Sequence, residues 1–272
     1  MNFDSKVRQF LPEARRIVVK IGTRVLADKS GKPSPARIKN IVSQVAALRR
    51  GGYEVVLVSS GAIGAGMASL GIKSRPTDVP DLQMCAAVGQ ARLISMYEEL
   101  FMAHKMRVGQ VLLTHDDFSS RIRTGNARRT MEHMLRAGVV PVVNENDVVA
   151  DEEVKAFLSL GDNDYLAALV VKLIRADLLV LLSTVDGLLD MSATPHRRIA
   201  CVEKLGPDIL KLINPPAAGG ISKGGMDSKL RSALLASKAG CTVVIADGRK
   251  AGHLAAVVAG KDVGTVIPGA TI

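Results

Sequence analysis

A chain of 272 residues carrying 47% apolar and 23% charged side chains, with no tryptophan, has the makeup of a water-soluble globular protein built on one sizeable aliphatic core. No apolar run is long enough to cross a bilayer as a helix, so no membrane partner is expected. A net charge of +10 and a pI near 9.7 raise the question of nucleic acid. The arginine pairs at 15–16, 49–50, 128–129 and 197–198 are nevertheless scattered, and no aromatic stripe accompanies them, so no nucleic-acid partner is expected and the charge suits anionic substrates.

Asp4 and Glu13 break up the basic N-terminal stretch, which lacks the apolar segment of a signal or transit peptide. The first strand reads as Arg16–Ile21, RIVVKI, followed by Gly22-Thr23. Ser34-Pro35 offers a cap and a first-turn proline for a helix with Ile38, Ile41, Val42, Val45 and Leu48 on one face, closed by Gly51-Gly52. A strand over Glu54–Val58 runs into Ser59, and helical spacing returns over 82–104. Strands at Val108–Leu113 and 139–143 flank a helix over 126–137. Asp162 caps a further helix that carries Leu166, Leu169, Val170 and Leu173, and a fully apolar strand follows at 178–182. The last helix, over 226–239, places Leu230, Ala233 and Leu234 on one face, and 241–246 is one more strand.

Apolar strands alternating with amphipathic helices predict an α/β/α sandwich with a mainly parallel central sheet, in one domain over residues 1–272. The three cysteines, Cys85, Cys201 and Cys241, have no CxxC spacing and read as thiols of a reducing compartment, hence a cytoplasmic location.

In open α/β sheets ligands bind beyond the carboxyl ends of the strands, and polar segments fall there repeatedly in this chain. The segment 59–66, SSGAIGAG, lets backbone N–H groups approach an anion, yet matches neither a Walker A loop nor a dinucleotide fingerprint. The clusters Asn144-Glu145-Asn146-Asp147 and Gly161-Asp162-Asn163-Asp164 could hold a substrate ammonium, a metal ion or a catalytic lysine. Ser222-Lys223-Gly224-Gly225-Met226 leads into a helix whose N-terminus favours anions, with Lys229 one turn inside it. Lys20 interrupts an apolar strand, where a charge is costly unless it is used. Each of these features has an ordinary structural reading alone: a tight turn, an N-cap, a surface ion pair. Two lysines on anion-binding elements suit phosphoryl transfer, which depends on positioning and charge neutralisation.

Taken together and in this order, these segments resemble the glutamate 5-kinase family of the amino acid kinase superfamily, from about Arg16 to the C-terminus. The resemblance implies transfer of the ATP γ-phosphoryl group to the γ-carboxylate of L-glutamate, the first step of proline biosynthesis. It makes Lys20 and Lys229 the residues that neutralise the transferred phosphoryl, with Asp164 holding both. It places Ser60, Gly61, Ala62, Asp147 and Asn163 around glutamate. ATP falls to Lys20, Ser183, Thr184, Ser222, Lys223, Gly224, Gly225, Met226 and Lys229, with Mg2+ on its phosphates and no metal ligand from the chain. Proline as feedback inhibitor and a homo-dimer or homo-tetramer are further implications. The chain departs from the family pattern in having Thr184 where an acid is usual, Leu189 for Tyr, Ser222-Lys223 for Gly-Thr, and extra length over 155–161. It also stops short of the PUA domain that many bacterial members carry. Sister kinases acting on uridylate, acetylglutamate or aspartate, or an inactive nucleic-acid-binding scaffold, are the competing readings.

Overall fold

The computed structural model describes residues 3–28, 31–150, 163–203, 205–206, 209 and 225–270. Nine strands are described: β1 Arg16–Ile21, β2 Glu54–Val58, β3 Val108–Leu113, β4 Val140–Glu145, β5 Leu178–Ser183, β6 Leu188–Asp190, β7 Arg197–Ile199, β8 Thr242–Asp247 and β9 Thr265–Ile267. Seven of them form one sheet in the order β3-β4-β2-β1-β5-β8-β9, and β6 and β7 pair in a separate antiparallel hairpin. All neighbours in the large sheet are parallel except β8 and β9. Such a sheet must be covered on both faces, which is why β1, β2, β5 and β8 are almost uniformly apolar and buried.

The described helices are α1 Phe3–Phe10, α2 Thr23–Leu26, α3 Pro35–Arg50, α4 Ala62–Leu70, α5 Val79–Met102, α6 His115–Ser119, α7 Arg121–Arg136, α8 Asn163–Ile174, α9 Gly225–Lys238 and α10 His253–Val258. Apolar faces of α1, α3, α5 and α10 cover one side of the sheet, meeting Ile17, Val19, Val55, Leu57 and Val180. On the other side α7, α8 and α9 meet Val18, Val56, Val58, Leu179 and Leu181. Alternation along β1 therefore turns Ile17, Val19 and Ile21 toward the α3/α5 layer, and Val18 and Lys20 toward the α8 layer.

The expected elements are present with shifted ends. Helix α5 starts at Val79 because Asp78 accepts a hydrogen bond from the Asp81 N–H, three residues before the expected start. Helix α7 starts at Arg121 because Ser120 caps the Arg123 N–H, five residues before the expected start. Strand β4 runs on through Asn144 and Glu145. Leu234 does not share the buried face of α9: that face is Leu230, Ala233 and Ala236, and Leu234 is 37% exposed. The proposed Asp162 cap lies outside the described residues.

Gly66 has a different use from the anion-approach role expected of the segment 59–66. A Cβ on it would lie 1.8 Å from the Cys85 carbonyl oxygen, and one on Gly89 would lie 1.7 Å from that of Ala62. These two glycines let α4 and α5 pack backbone to backbone, which fixes the start of α4 at the sheet edge. Gly61 is the residue the turn itself requires, at φ 98°. Gly89→Ala is therefore expected to destabilise the fold by about 3 kcal/mol or more, since backbone cannot yield as a side chain can. Urea unfolding followed by circular dichroism checks this.

Candidate active site

From β1 the chain passes to β2 on one side, and from β5 to β8 on the other, so the strand order reverses between neighbours β1 and β5. That is the position at which a doubly covered sheet opens a crevice at its carboxyl edge. Lys20 reaches this edge from β1, Asp164 from the first turn of α8, and Lys229 from the second turn of α9. Lys20 Nζ lies 2.6 Å from Asp164 Oδ1, and Lys229 Nζ lies 2.8 Å from Asp164 Oδ2. Lys229 also donates to the Gly225 carbonyl at 3.3 Å, one turn back along its own helix.

Asp164 is fully buried and Lys20 is 4% exposed. Burial pushes the Asp164 carboxyl up, but the charges of Lys20 and then Lys229, with their hydrogen bonds, outweigh it and hold the group below the ordinary aspartate range. One ionised carboxylate thus fixes two ammonium groups from different elements at the mouth of the crevice.

Beside this triad is a cleft of about 110 Å³, open to solvent and lined by Ser60, Gly61, Ala62, Asn144, Asp147 and Asn163 together with Thr23, Arg75 and Glu145. Asn163 precedes Asp164 on α8, so one helix terminus serves both the cleft and the triad. Its side-chain amide has three acceptors in reach: the Ser59 carbonyl at 2.6 Å, Ser60 Oγ at 2.9 Å and Asn144 Oδ1 at 2.9 Å. Asn144 in turn donates to Gln90 Oε1 at 3.2 Å, and Gln110 donates to the same oxygen at 3.3 Å. This chain of amides fixes the orientation of Asn163, and Asn163 Oδ1 is buried without a hydrogen-bond partner among the described residues. A buried acceptor in that state is costly unless a ligand or water meets it. Behind the cleft, Ser59 Oγ and the buried Tyr97 hydroxyl are 2.9 Å apart, with burial raising the phenol to about 12.

On the far side of the triad, β5 ends at Ser183, in register with Asp247 at the end of β8. Arg249 donates to both carboxylate oxygens of Asp247 and, at 2.7 Å, to the Thr184 carbonyl. Burial opposes ionisation of Asp247, but the hydrogen bonds and charge of Arg249 keep its carboxyl below the usual range. Gly225 and Met226 open α9 on this side. Ser222, Lys223 and Gly224 lie outside the described residues, as do Gly161, Asp162 and the stretch 155–160. The structure thus brings Lys20, Asp164 and Lys229 into contact, puts Ser60, Gly61, Ala62, Asp147 and Asn163 on one cleft, and sets Ser183 and Thr184 at the carboxyl end of β5.

The profile of the Amino acid kinase family matches residues 15–247 of the chain, which span the triad and both of its flanks. The chain belongs to the amino acid kinase family. Among curated relatives of this amino acid kinase, glutamate 5-kinase of Myxococcus xanthus is 45% identical over 270 residues, covering 97% of the chain and 70% of that protein. Glutamate 5-kinase of Marinomonas sp. is 43% identical over 262 residues, covering 96% of the chain and 69% of that protein. Among solved structures, UMP kinase from Bacillus anthracis superposes with a TM-score of 0.62 at 15% identity, over 94% of this chain and 97% of that one. Carbamate kinase from Giardia lamblia, bound to AMP-PNP, gives 0.63 at 17% identity, over 94% and 99%. At such identities these two establish the α/β/α fold and nothing finer.

Several residues of the site did not stand out in the sequence. Asn144 was visible within an acidic and amide cluster, but its inward orientation was not. Gln90, 7% exposed on a helix otherwise packed with apolar side chains, is the kind of buried amide that marks a network. Asp247-Gly248-Arg249 follows a strand end, the same signal that pointed to Ser183. Arg75 sits in the irregular stretch between α4 and α5 and carries no sequence signal at all. Among the described residues, no helix is long and apolar enough to cross a membrane.

Proposed function

We propose that this amino acid kinase domain transfers the γ-phosphoryl group of ATP to the γ-carboxylate of L-glutamate, giving γ-glutamyl phosphate, the first step of proline biosynthesis, in the cytoplasm. The observation that carries the reading is the Lys20–Asp164–Lys229 triad at the strand-order reversal, with a cleft for an amino acid on one flank and the strand end of β5 on the other.

Asn163 Oδ1 and Asp147 are the acceptors for the substrate ammonium, and Ser60 with the turn at Gly61-Ala62 shapes the wall beside it. The γ-carboxylate then points at the lysines. Its oxygen attacks the γ-phosphorus while the bond to the bridging β,γ oxygen breaks, and ADP leaves with that oxygen and its charge. No proton has to move, because a carboxylate is already the nucleophile. The chain's work is to hold the reactants in line and to offset charge on the transferred group with Lys20 and Lys229. The N-terminus of α9, opened by Gly225 and Met226, adds N–H groups and a favourable dipole for ATP phosphates, with Ser183 and Thr184 at the carboxyl end of β5 as further ATP contacts and Ser222, Lys223 and Gly224, which precede the helix in sequence, assigned to ATP as well.

Among the described residues, no three His, Cys, Asp or Glu side chains gather to hold a metal ion. Mg2+ fits here as a partner of the ATP phosphate oxygens, where it supplies charge neutralisation, and no residue of the chain is assigned to it. Proline, which shares the ammonium and α-carboxylate of glutamate, belongs to the same cleft as a feedback inhibitor. Assembly as a dimer or tetramer completes the proposal.

Release of ADP from MgATP, measured over a panel of acceptors, tests the substrate. Turnover is expected with L-glutamate. Turnover confined to UMP, carbamate, aspartate or N-acetylglutamate would keep the fold and overturn the acceptor.

A further inference from the structure

The cleft beside the triad has two carboxylates on its lining, Glu145 and Asp147, and a single cation among its described residues, Arg75. Arg75 lies between α4 and α5, exposed, and makes no hydrogen bond or ion pair among the described residues. The reactions assigned above give it no task.

Glutamate carries three charges into that cleft. Its γ-carboxylate has to face Lys20 and Lys229 for transfer, and its ammonium is met by Asp147 and the unpartnered Asn163 Oδ1. The α-carboxylate remains, and it cannot turn toward Glu145 or Asp147 without like-charge repulsion. A guanidinium offers two parallel N–H donors that match a carboxylate, and a free, unpaired one at the cleft wall has no intramolecular bond to give up. We infer that Arg75 binds the α-carboxylate of the substrate and so selects an amino acid in which that group is free. This assignment rests on the glutamate reading above and adds the residue that sets its specificity.

The test compares L-glutamate with its α-amide, which keeps the ammonium and the γ-carboxylate but lacks the α-carboxylate charge. Wild-type protein is expected to favour glutamate about 100-fold in kcat/KM, the penalty of leaving a charged donor facing a neutral amide. Arg75→Met is expected to raise the glutamate KM about 10- to 100-fold, to leave kcat and the KM for ATP within about threefold, and to reduce the preference to near unity. Arg75→Lys keeps a charge without the fork and falls between the two. Thermal unfolding of each variant should match wild type, because the exposed Arg75 makes no hydrogen bond or ion pair among the described residues.

Unchanged glutamate KM and unchanged preference in Arg75→Met would overturn the assignment and give the α-carboxylate to backbone N–H groups at the start of α4. A fall in kcat with KM unchanged would also overturn it, since it would place Arg75 in the transfer step. Wild-type protein that phosphorylates no glutamate would instead remove the substrate reading, and the Arg75 assignment with it.

Discussion

Asp164→Ala is expected to abolish measurable turnover, a fall of about 10³-fold or more, and to lower stability by about 3–5 kcal/mol. Both effects have one cause. The carboxylate is fully buried and joins Lys20 at 2.6 Å to Lys229 at 2.8 Å. Without it, Lys20 is left as a charge at 4% exposure, where water cannot replace the lost partner. The two ammonium groups then repel each other and leave the reactive geometry. Asp164→Asn keeps the shape and removes the charge, so it should lose turnover equally. If either variant kept a tenth of wild-type activity, the triad would not be the transfer machinery.

The pH dependence follows with a definite sign. The folded Asp164 carboxyl is held below its ordinary value, so the unfolded chain binds its proton more readily. The stability it contributes is present in full above the unfolded value of about 3.9. It is lost as pH falls through the lower folded value. Acid unfolding of wild-type protein should therefore begin below about pH 4, and Asp164→Asn should lack that component.

Lys229→Ala is expected to lower kcat about 10²- to 10³-fold while the glutamate KM and the unfolding midpoint stay close to wild type. Lys229 is more exposed than Lys20, at 12% against 5% of the side chain, and its loss still leaves Asp164 paired with Lys20. Its charge therefore matters mainly when the phosphoryl group moves. Lys229→Arg should not restore the rate, because a planar fork is not a substitute for a compact ammonium at a transferring phosphorus. Single-turnover kinetics beside thermal unfolding separate the two readouts. A variant that unfolds with wild-type kcat in its folded fraction would contradict the assignment.

The triad was within reach of the sequence because its parts break local rules. A lysine in RIVVKI is costly without a partner, and strand alternation turns it to the same side as Val18, the side that α8 covers. Asp164 and Asn163 were legible as a polar cluster ahead of an apolar helix. Sheet order was not legible, because β1 and β5 are neighbours separated by some 160 residues and nothing local specifies their pairing. Gly66 shows the same limit: a glycine needed for close helix packing and one needed for ligand approach look identical until the second helix is in place. The same holds for Gln90 and Arg75, whose roles depend on what lies across the cleft. Helical spacing puts Leu234 on one face with Leu230 and Ala233, whereas α9 buries a narrower face built on Leu230, Ala233 and Ala236.

The most direct measurement of the central claim is to trap the acyl phosphate with hydroxylamine during incubation with MgATP and L-glutamate. γ-Glutamyl hydroxamate should form only when glutamate is present, at a rate that matches ADP release, and should fall about 10²-fold or more in Lys229→Ala. ADP release without hydroxamate, or hydroxamate that persists at the wild-type rate in Lys229→Ala, would contradict phosphoryl transfer to a carboxylate at this triad.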